Sequence, residues 1–486
     1  MTRRRAALAL GAALLLAGCD LAPHYKVPTV SVPGSFHDTT VWRTAVPADM
    51  APRPDWWTSF GDPTLDRLED QLNRQNITLA AAAATFDQAR ASAAEAEAGL
   101  LPSAGIDAGL ARTVNPASTS LKSHGLEPSF LLANTFAGGL SYEVDLWGRI
   151  RNAAKAGRAG AQAAGADLAF VRLSLQAELA DAYLLLRGLD AEQDLLRRTV
   201  AAYQRALEVA QTRFEGKISP AMDVTRAQAQ LESARAQYDD IAARRALAEH
   251  AIATLVAIPA PLFGIPPSLA ALHLPSLPSA VPSTLLQRRP DIAAAERRVA
   301  AANAMIGVAR AAFFPNIGLN AVGGFQSVNL AMFNTPSSFW SLGPTLRVPV
   351  FEGGLLNAQE AAVIAAYNVA TADYRNTVLG AFQDVEDALA QLHYYGIEEQ
   401  DDQRALAAAQ RTLDMSFALY KDGAANFLEV VVAQESLLGA QQLLLQLQTQ
   451  YLQSGVRLIR ALGGGWSEQE LPAMRGIGLY HETMAN

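Results

Sequence analysis

The residue types that do chemistry in proteins are present in this sequence, but their spacing does not form a catalytic or metal-binding motif. The seven histidines (24, 37, 124, 250, 273, 393, 481) are scattered and show no paired helical spacing for a metal. Adjacent acids such as Glu386-Asp387 lie in helical stretches, where a solvated helix face explains them. No glycine-rich loop followed by Lys-Ser/Thr could cradle a phosphate. We therefore predict no enzyme, no metal and no cofactor.

The one cysteine stands where it could carry a covalent lipid. Arg3-Arg4-Arg5 and the apolar stretch 6–17 predict a signal peptide over 1–18, too short to span a membrane comfortably. Leu16-Ala17-Gly18-Cys19 resembles the lipobox of bacterial lipoproteins, in which the cysteine becomes the acylated (palmitate-bearing) first residue. The alternative is a buried cysteine near a signal peptide. Asp20 directly after it is an inner-membrane retention signal in enteric bacteria, so sorting stays open at this point.

Composition narrows the class of protein. Among 486 residues, 50% are hydrophobic, and 39 basic against 47 acidic residues give a formal charge of −8. This acidic balance argues against a nucleic-acid binder, and a lone cysteine excludes a disulfide framework. No apolar run of 18 residues follows the N-terminus, which excludes a polytopic helical membrane protein but not a membrane β-barrel.

The chain reads as two similar halves. Residues 76–102 align without a gap to 289–315, and later Phe214 matches Tyr420 and Asp223 matches Glu429. We expect an internal duplication with a period near 206–213 residues and therefore pseudo-symmetry. The predicted organisation is a lipidated N-terminal linker (19–66), a first repeat (67–258), a Pro-rich inter-repeat linker (259–288), a second repeat (289–463) and a C-terminal tail (464–486).

Each half contains one very long helix flanked by shorter ones. Leucine, valine and alanine recur at spacings of three and four over 149–214, and the second half repeats this over 354–421. At about 1.5 Å per residue such a helix spans about 100 Å. Shorter helices over 67–100, 220–257, 289–313 and 427–462 could flank the long ones end to end. The pattern predicts a rod or tube.

Four segments switch to the period of two that is typical of strands. They lie at about 103–113, 135–146, 316–327 and 339–350. Alternation places Glu143, Asp145 and Arg347 on one face and apolar side chains with Tyr142 on the other, while Trp147 and Trp340 lie near strand ends, as in a membrane aromatic girdle. Four strands cannot close a barrel, and an open edge cannot lie in lipid. Three copies would supply twelve strands around a water-filled pore. The alternative is a small soluble sheet.

Further motifs carry a resemblance that covers nearly the whole mature chain. They are Pro23-His24-Tyr25-Lys26-Val27-Pro28, Trp56-Trp57, Phe60-Gly61-Asp62-Pro63 and Arg289-Pro290-Asp291-Ile292. With these, the sequence resembles the TolC-like outer-membrane efflux factors, in particular their lipoprotein branch. The resemblance implies a mainly α homotrimer with a twelve-stranded barrel in the outer-membrane lipid, a long periplasmic α-barrel, and an equatorial belt built from the termini and the linker.

The same resemblance implies function and partners. Members of this family are passive exit ducts for drugs or other small molecules, served by a periplasmic adaptor (membrane-fusion) protein and an RND-type inner-membrane transporter. Their helical tips meet the adaptor; here these are 214–222 and 420–428. The implied adaptor contacts are Phe214, Gly216, Lys217, Tyr420, Lys421 and Gly423. Gly423 occupies the usual turn position, whereas the first tip has Lys217 there, so its turn could differ.

Relatives also place a leucine, an aspartate and an arginine on the helix after the second tip as a gate. The matching positions here are Leu428, Val432 and Glu435, so the apolar element is kept and the acidic ring with its arginine is not. Our hypothesis is that Leu428 narrows the pore while Asp223, Arg226 and Glu429 form inter-helix pairs. The alternative is that these three are solvated surface charges.

Two other functions stay open from the sequence. One keeps the channel but changes its cargo to proteins (type I secretion) or metal ions. The other is a non-porous periplasmic coiled-coil scaffold lipoprotein, which predicts soluble strands and no trimer.

Overall fold

A computed structural model describes residues 20–31, 55–114, 130–270, 272, 274, 288–327, 333–467 and 470–471. The predicted signal peptide and Cys19, much of the inter-repeat linker and most of the C-terminal tail lie outside these residues. The described helices are α1 Pro63–Gln75, α2 Ile77–Ala98, α3 Arg149–Glu215, α4 Ala221–Leu255, α5 Pro290–Ala311, α6 Leu355–Lys421 and α7 Phe427–Ala461. The strands are β1 Ser103–Val114, β2 Phe130–Val144, β3 Asn316–Ser327 and β4 Ser338–Arg347.

The predicted duplication is visible in the lengths of the helices. α2 and α5 both have 22 residues, α3 and α6 both have 67, and α4 and α7 both have 35. Pro290 follows Ile77 by 213 residues, and Leu355 follows Arg149 by 206. Each 67-residue helix is about 100 Å long at 1.5 Å per residue. The fold is therefore mainly helical and built from two matching halves, as predicted.

The expected single helix over 67–100 is wrong, because the chain breaks at Asn76 into α1 and α2. Asn76 has an extended backbone, and its side-chain oxygen accepts from the Leu79 N–H at 2.8 Å. Its amide donates to the Leu255 carbonyl at 2.8 Å, at the end of α4. One side chain thus caps the start of α2 and satisfies a free carbonyl at the end of α4.

The largest apolar core lies where α1, α3, α4 and α7 meet. Trp56, Trp57 and Phe60 form a short turn before α1, and the two tryptophan rings meet edge to face with centroids 5.9 Å apart. They pack with leucines of α1 and α3 and with Ile252 and Val456. The Asp62 carboxylate starts α1 by accepting from the Thr64 N–H at 2.8 Å, and Pro63 fits the first helical position.

The first residues of the inter-repeat linker are held by a buried ion network. Asp190 of α3 pairs with Arg187 at 2.8 Å and with Arg245 of α4 at 2.6 Å. It also accepts from the Ser268 N–H at 3.1 Å, while Arg187 donates to the Pro266 carbonyl at 2.9 Å. Because Asp190 is fully enclosed, these partners fix the path of the chain as it leaves the first half.

The four strands form one antiparallel sheet in the order β1-β2-β3-β4. Its register is continuous, so that Ile106, Gly138, Gly323 and Trp340 lie in one row across the sheet. β2 begins earlier than the predicted 135, and β4 ends at Arg347 before the predicted 350. Pro349 lies in that lost stretch and has no N–H to continue a ladder.

Candidate functional site

The two faces of the sheet differ in chemistry. The face that we call the apolar face carries large hydrophobic side chains in neighbouring rows: Ile106, Leu110, Phe136, Leu140, Leu319, Trp340, Leu342 and Leu346. These are open to the surroundings, with Ile106 74% and Trp340 80% exposed. The opposite, polar face carries Asp107, Ser141, Glu143, Asn320, Thr345 and Arg347. An exposed apolar face backed by a polar one is the pattern of a membrane barrel wall.

Aromatic side chains mark the ends of the apolar face. Tyr142 lies near the helical end, and Trp340 lies nearer the other end. The sequence analysis missed a further cluster near the loop end, where Phe333 meets Phe136 and Phe325 at centroid distances of 5.6 and 5.5 Å. Phe136 and Phe325 are cross-strand partners, which only the register could reveal.

Trp147 differs from Tyr142 and Trp340, because it lies in the bend between β2 and α3. Its ring stacks on Phe314 at 4.7 Å, and its indole N–H donates to the Pro315 carbonyl at 2.8 Å. Trp147 therefore ties the corner where the first half enters α3 to the corner where α5 enters β3. Its place in an aromatic girdle stays a prediction.

Charged pairs begin α3 at the junction between sheet and helix. Arg149 pairs with Glu143 of the polar face at 2.7 Å. The Asp145 carboxylate accepts from the Arg151 N–H at 2.8 Å and pairs with its guanidinium at 3.2 Å. A carboxylate at a helix N-terminus accepts hydrogen bonds from the free N–H groups there, and its negative charge interacts favourably with the helix dipole. Glu143 and Arg347 share the polar face as predicted, whereas Asp145 lies beyond the end of β2.

Among the described residues of a single chain, the two outer edges of the sheet and one side of α6 are left without partners. β1 and β4 each pair on one side only. The long helix α3 packs against α2, α4, α5 and α7, whereas its twin α6 packs against α5 and α7. Accordingly α6 leaves large side chains open, including Val369, Leu379, Tyr394 and Met415.

The turns at the two helical tips have the same backbone geometry. In the first, the N–H groups of Gly216, Lys217 and Ile218 donate to the carbonyls of Thr212, Phe214 and Arg213. In the second, Asp422, Gly423 and Ala424 donate to the equivalent carbonyls of Ala418, Tyr420 and Leu419. Lys217 has a φ of 58° and Gly423 a φ of 79°. Lys217 thus occupies the left-handed position itself, and a different first turn is not found.

The side chains of the two tips have diverged. Phe214 is 45% exposed, and Gly216, Lys217, Lys421 and Gly423 are also exposed. Tyr420 is instead 2% exposed and meets Phe427 edge to face at 5.1 Å, inside a core with Tyr203, Leu207 and Leu231. Of the predicted adaptor contacts, Tyr420 is therefore a core residue of the tip.

Arg213 links the tips, and the sequence analysis did not assign it a role. Its guanidinium donates to the Lys421 carbonyl at 2.8 Å and to the Ser219 hydroxyl at 3.2 Å. The guanidinium carbon of Arg213 also lies 4.9 Å from the centre of the Tyr420 ring. No sequence signal could have found this contact, because its partners are a backbone carbonyl and a ring 207 positions away.

The gate candidates lie on the helices that leave the tips. Leu428 and Val432 are 45% and 53% exposed, one turn apart on α7. Asp223 is buried, Arg226 half-buried and Glu429 exposed, and in the described part of one chain no ion pair joins these three. Glu435 accepts from Gln230 of α4 at 3.1 Å. The gate assignment stays a prediction.

Neither a metal cluster nor a membrane-spanning helix is found among the described residues. No group of three or more His, Cys, Asp or Glu side chains there could hold a metal ion. None of the helices described is apolar enough over a sufficient length to cross a membrane.

An exposed apolar sheet backed by a polar face and joined to helices about 100 Å long defines the class of outer-membrane channel proteins. The family model of outer membrane efflux proteins matches residues 68–257 and 281–464. The chain belongs to this family, so that it is an outer-membrane efflux channel protein, as the sequence analysis predicted.

Individual relatives agree with this assignment. The chain is 32% identical to the toluene efflux pump outer membrane protein TtgF of Pseudomonas putida, over 96% of this chain and 98% of that protein. It is 31% identical to the pyoverdine export outer membrane protein OpmQ of Pseudomonas aeruginosa, over 94% and 96%. The solved structure of the outer-membrane channel OprN superposes with a TM-score of 0.83 at 28% identity, over 92% of this chain and all of that one.

Proposed function

We propose that three copies of this chain close into a twelve-stranded barrel that continues into a tube of helices. The observation that carries the proposal is the sheet itself: in the described part of a single chain its apolar face is uncovered, and the outer edges of β1 and β4 have no partner strand. Unpaired backbone groups are costly in lipid, and β1 of one copy can satisfy β4 of the next. The open side of α6 supports the same arrangement, because a neighbouring copy would cover it.

The assembled protein would be a passive exit duct of a tripartite pump. The sequence has no phosphate-binding loop, so an inner-membrane RND-type transporter supplies the energy and a periplasmic adaptor connects the two through the exposed parts of the tips. TtgF is named for toluene and OpmQ for pyoverdine, which supports drugs or other small molecules as cargo. Cys19 carries the lipid that anchors the chain, beside the described segment that starts at Asp20.

Planar-bilayer recording of the protein purified from outer-membrane fractions tests this function. A trimeric species with discrete conductance steps is expected. Monomeric and electrically silent material would contradict the duct and favour the non-porous scaffold.

A further inference from the structure

The first described residues of the chain are docked in a groove between α3 and α5, close to the sheet. Asp20 accepts from the Asn152 side-chain amide at 2.9 Å and pairs with Lys155 at 2.5 Å. Its first oxygen also accepts from the Ala22 N–H at 3.1 Å. Asn152 and Lys155 lie in the first two turns of α3, which begins at Arg149 shortly after β2 ends. Asp20 is therefore held near the end of the sheet that joins the helices.

The groove is shaped to receive this segment. A Cβ atom on Gly307 of α5 would lie 2.8 Å from the Ala22 Cβ and 2.5 Å from the Asn152 amide nitrogen, so only glycine leaves room. Further along α5, Asn303 donates to the Pro23 carbonyl at 2.9 Å, and the Tyr25 hydroxyl donates to Glu296. Contacts at three levels along one helix, at Gly307, Asn303 and Glu296, fix the direction of the segment as well as its end.

The Asp20 carboxylate is held in its charged form. Partial burial by itself would raise the pKa of Asp20, but hydrogen bonds from Lys155 and Asn152 outweigh it and lower the pKa to about 2. The Asp20 side of the contact with Lys155 is consequently negatively charged at pH values well above 2.

We propose that Asp20 is a positioning residue for the lipid-bearing end of the chain. By docking on Asn152 and Lys155 it fixes Cys19, whose Cα is only about 3.8 Å away, at the junction of sheet and helices, so that the acyl chains leave at the membrane boundary. The proposal rests on the proposed lipidation of Cys19. It also gives the acidic residue after the cysteine a role in the folded protein that is independent of sorting.

A nitroxide at Leu21→Cys in the full-length protein in lipid nanodiscs tests the proposal. The natural chain has one cysteine, and acylation leaves no competing thiol. Electron paramagnetic resonance reports the mobility of the label, and its power saturation reports its depth in the membrane. The variants are Asp20→Ser, Lys155→Met and the charge reversal Asp20→Lys with Lys155→Asp. The matched control is Asp167→Ser, which removes another exposed ion pair between α3 and α5, with Arg298.

An immobile label at a fixed depth is expected in the parent protein and in Asp167→Ser. Asp20→Ser and Lys155→Met should each add a mobile component with a spread of depths, and the charge reversal should restore the immobile spectrum. Mass spectrometry of the N-terminal peptide is read alongside. An acylated Cys19 with an unchanged Asp20→Ser spectrum would overturn the positioning role alone. An unmodified Cys19 in the parent protein would overturn the lipid assignment beneath it.

Discussion

The residue at the left-handed position of each tip influences the stability of that turn. Lys217 occupies a left-handed backbone position that its glycine counterpart, Gly423, adopts without strain. For a residue with a Cβ this position costs roughly 1–2 kcal/mol. The strain lies in the half of the tip whose side chains are most exposed.

Lys217→Gly is expected to stabilise the first tip by about 1 kcal/mol, because glycine removes the Cβ clash. Part of the gain is offset by the greater freedom of glycine in the unfolded chain. Hydrogen exchange of the Ile218 and Ser219 amides should slow accordingly. Gly423→Ala is the matched variant and should speed exchange at Ala424. Faster exchange in Lys217→Gly would contradict the strain at this position.

Arg213→Met should loosen the contact between the tips. Between the tips it removes the hydrogen bond to the Lys421 carbonyl and the cation–π contact with Tyr420, together worth about 1–2 kcal/mol, or roughly a tenfold shift between joined and separated tips. Single-channel recording should show more frequent open states. Arg235→Met removes an exposed pair with Glu232 on α4 and serves as control. An open probability equal to that of the control would refute a latch at Arg213.

The raised pKa of Asp181 on α3 leads us to expect that the free energy of unfolding depends on pH. Burial raises the pKa of Asp181 to about 6, against the opposing charges of Arg457 and Arg460. The folded chain therefore holds this proton more tightly than the unfolded chain, so the stabilisation is complete below about pH 4 and is lost as the pH rises through 6. Asp181→Asn should raise the free energy of unfolding, measured with urea, by about 1–2 kcal/mol at pH 8 and change it little at pH 4. An equal effect at both values would contradict this.

At the scale of elements, the sequence predicted most helices well. The helices α3 and α6 each run without a break, and their ends fall within a residue or so of those expected. The break at Asn76 was missed, because an asparagine before an alanine-rich run does not by itself end a helix. The Asn76 side chain at this break also donates to the Leu255 carbonyl, a contact far away in sequence that only the fold shows.

Two substitutions at Asn76 separate its two roles. Asn76→Ala removes both the cap on α2 and the bond to Leu255, and should lower the free energy of unfolding by about 1–2 kcal/mol. Asn76→Asp keeps the acceptor for Leu79 but loses the donor, so it should fall between Asn76→Ala and the parent protein. Urea unfolding followed by circular dichroism measures both. Equal midpoints for Asn76→Ala and the parent would contradict the double cap.

At the scale of the whole molecule, the alternation of residue types predicted a sheet with one apolar and one polar face. That alternation is local to each strand, as in residues Leu140 to Val144, so it can be recognised without the fold. The contact of Arg213 with the second tip and the docking of Asp20 could not be predicted in the same way, since Asp20 and Asn152 are 132 positions apart and no period connects them. Local patterns therefore defined the wall of the channel, and only the fold showed what holds it in place.

Crosslinking between edge strands tests the central claim of a shared barrel most directly. The pairs combine Ser341→Cys in β4 with Ser103→Cys, Gly105→Cys or Asp107→Cys in β1, all on the polar face. Within one chain β2 and β3 separate these strands. We expect at least one pair to give covalent trimers in outer membranes under oxidation. Monomers alone from every pair, or a product that stops at the dimer, would contradict closure by three copies.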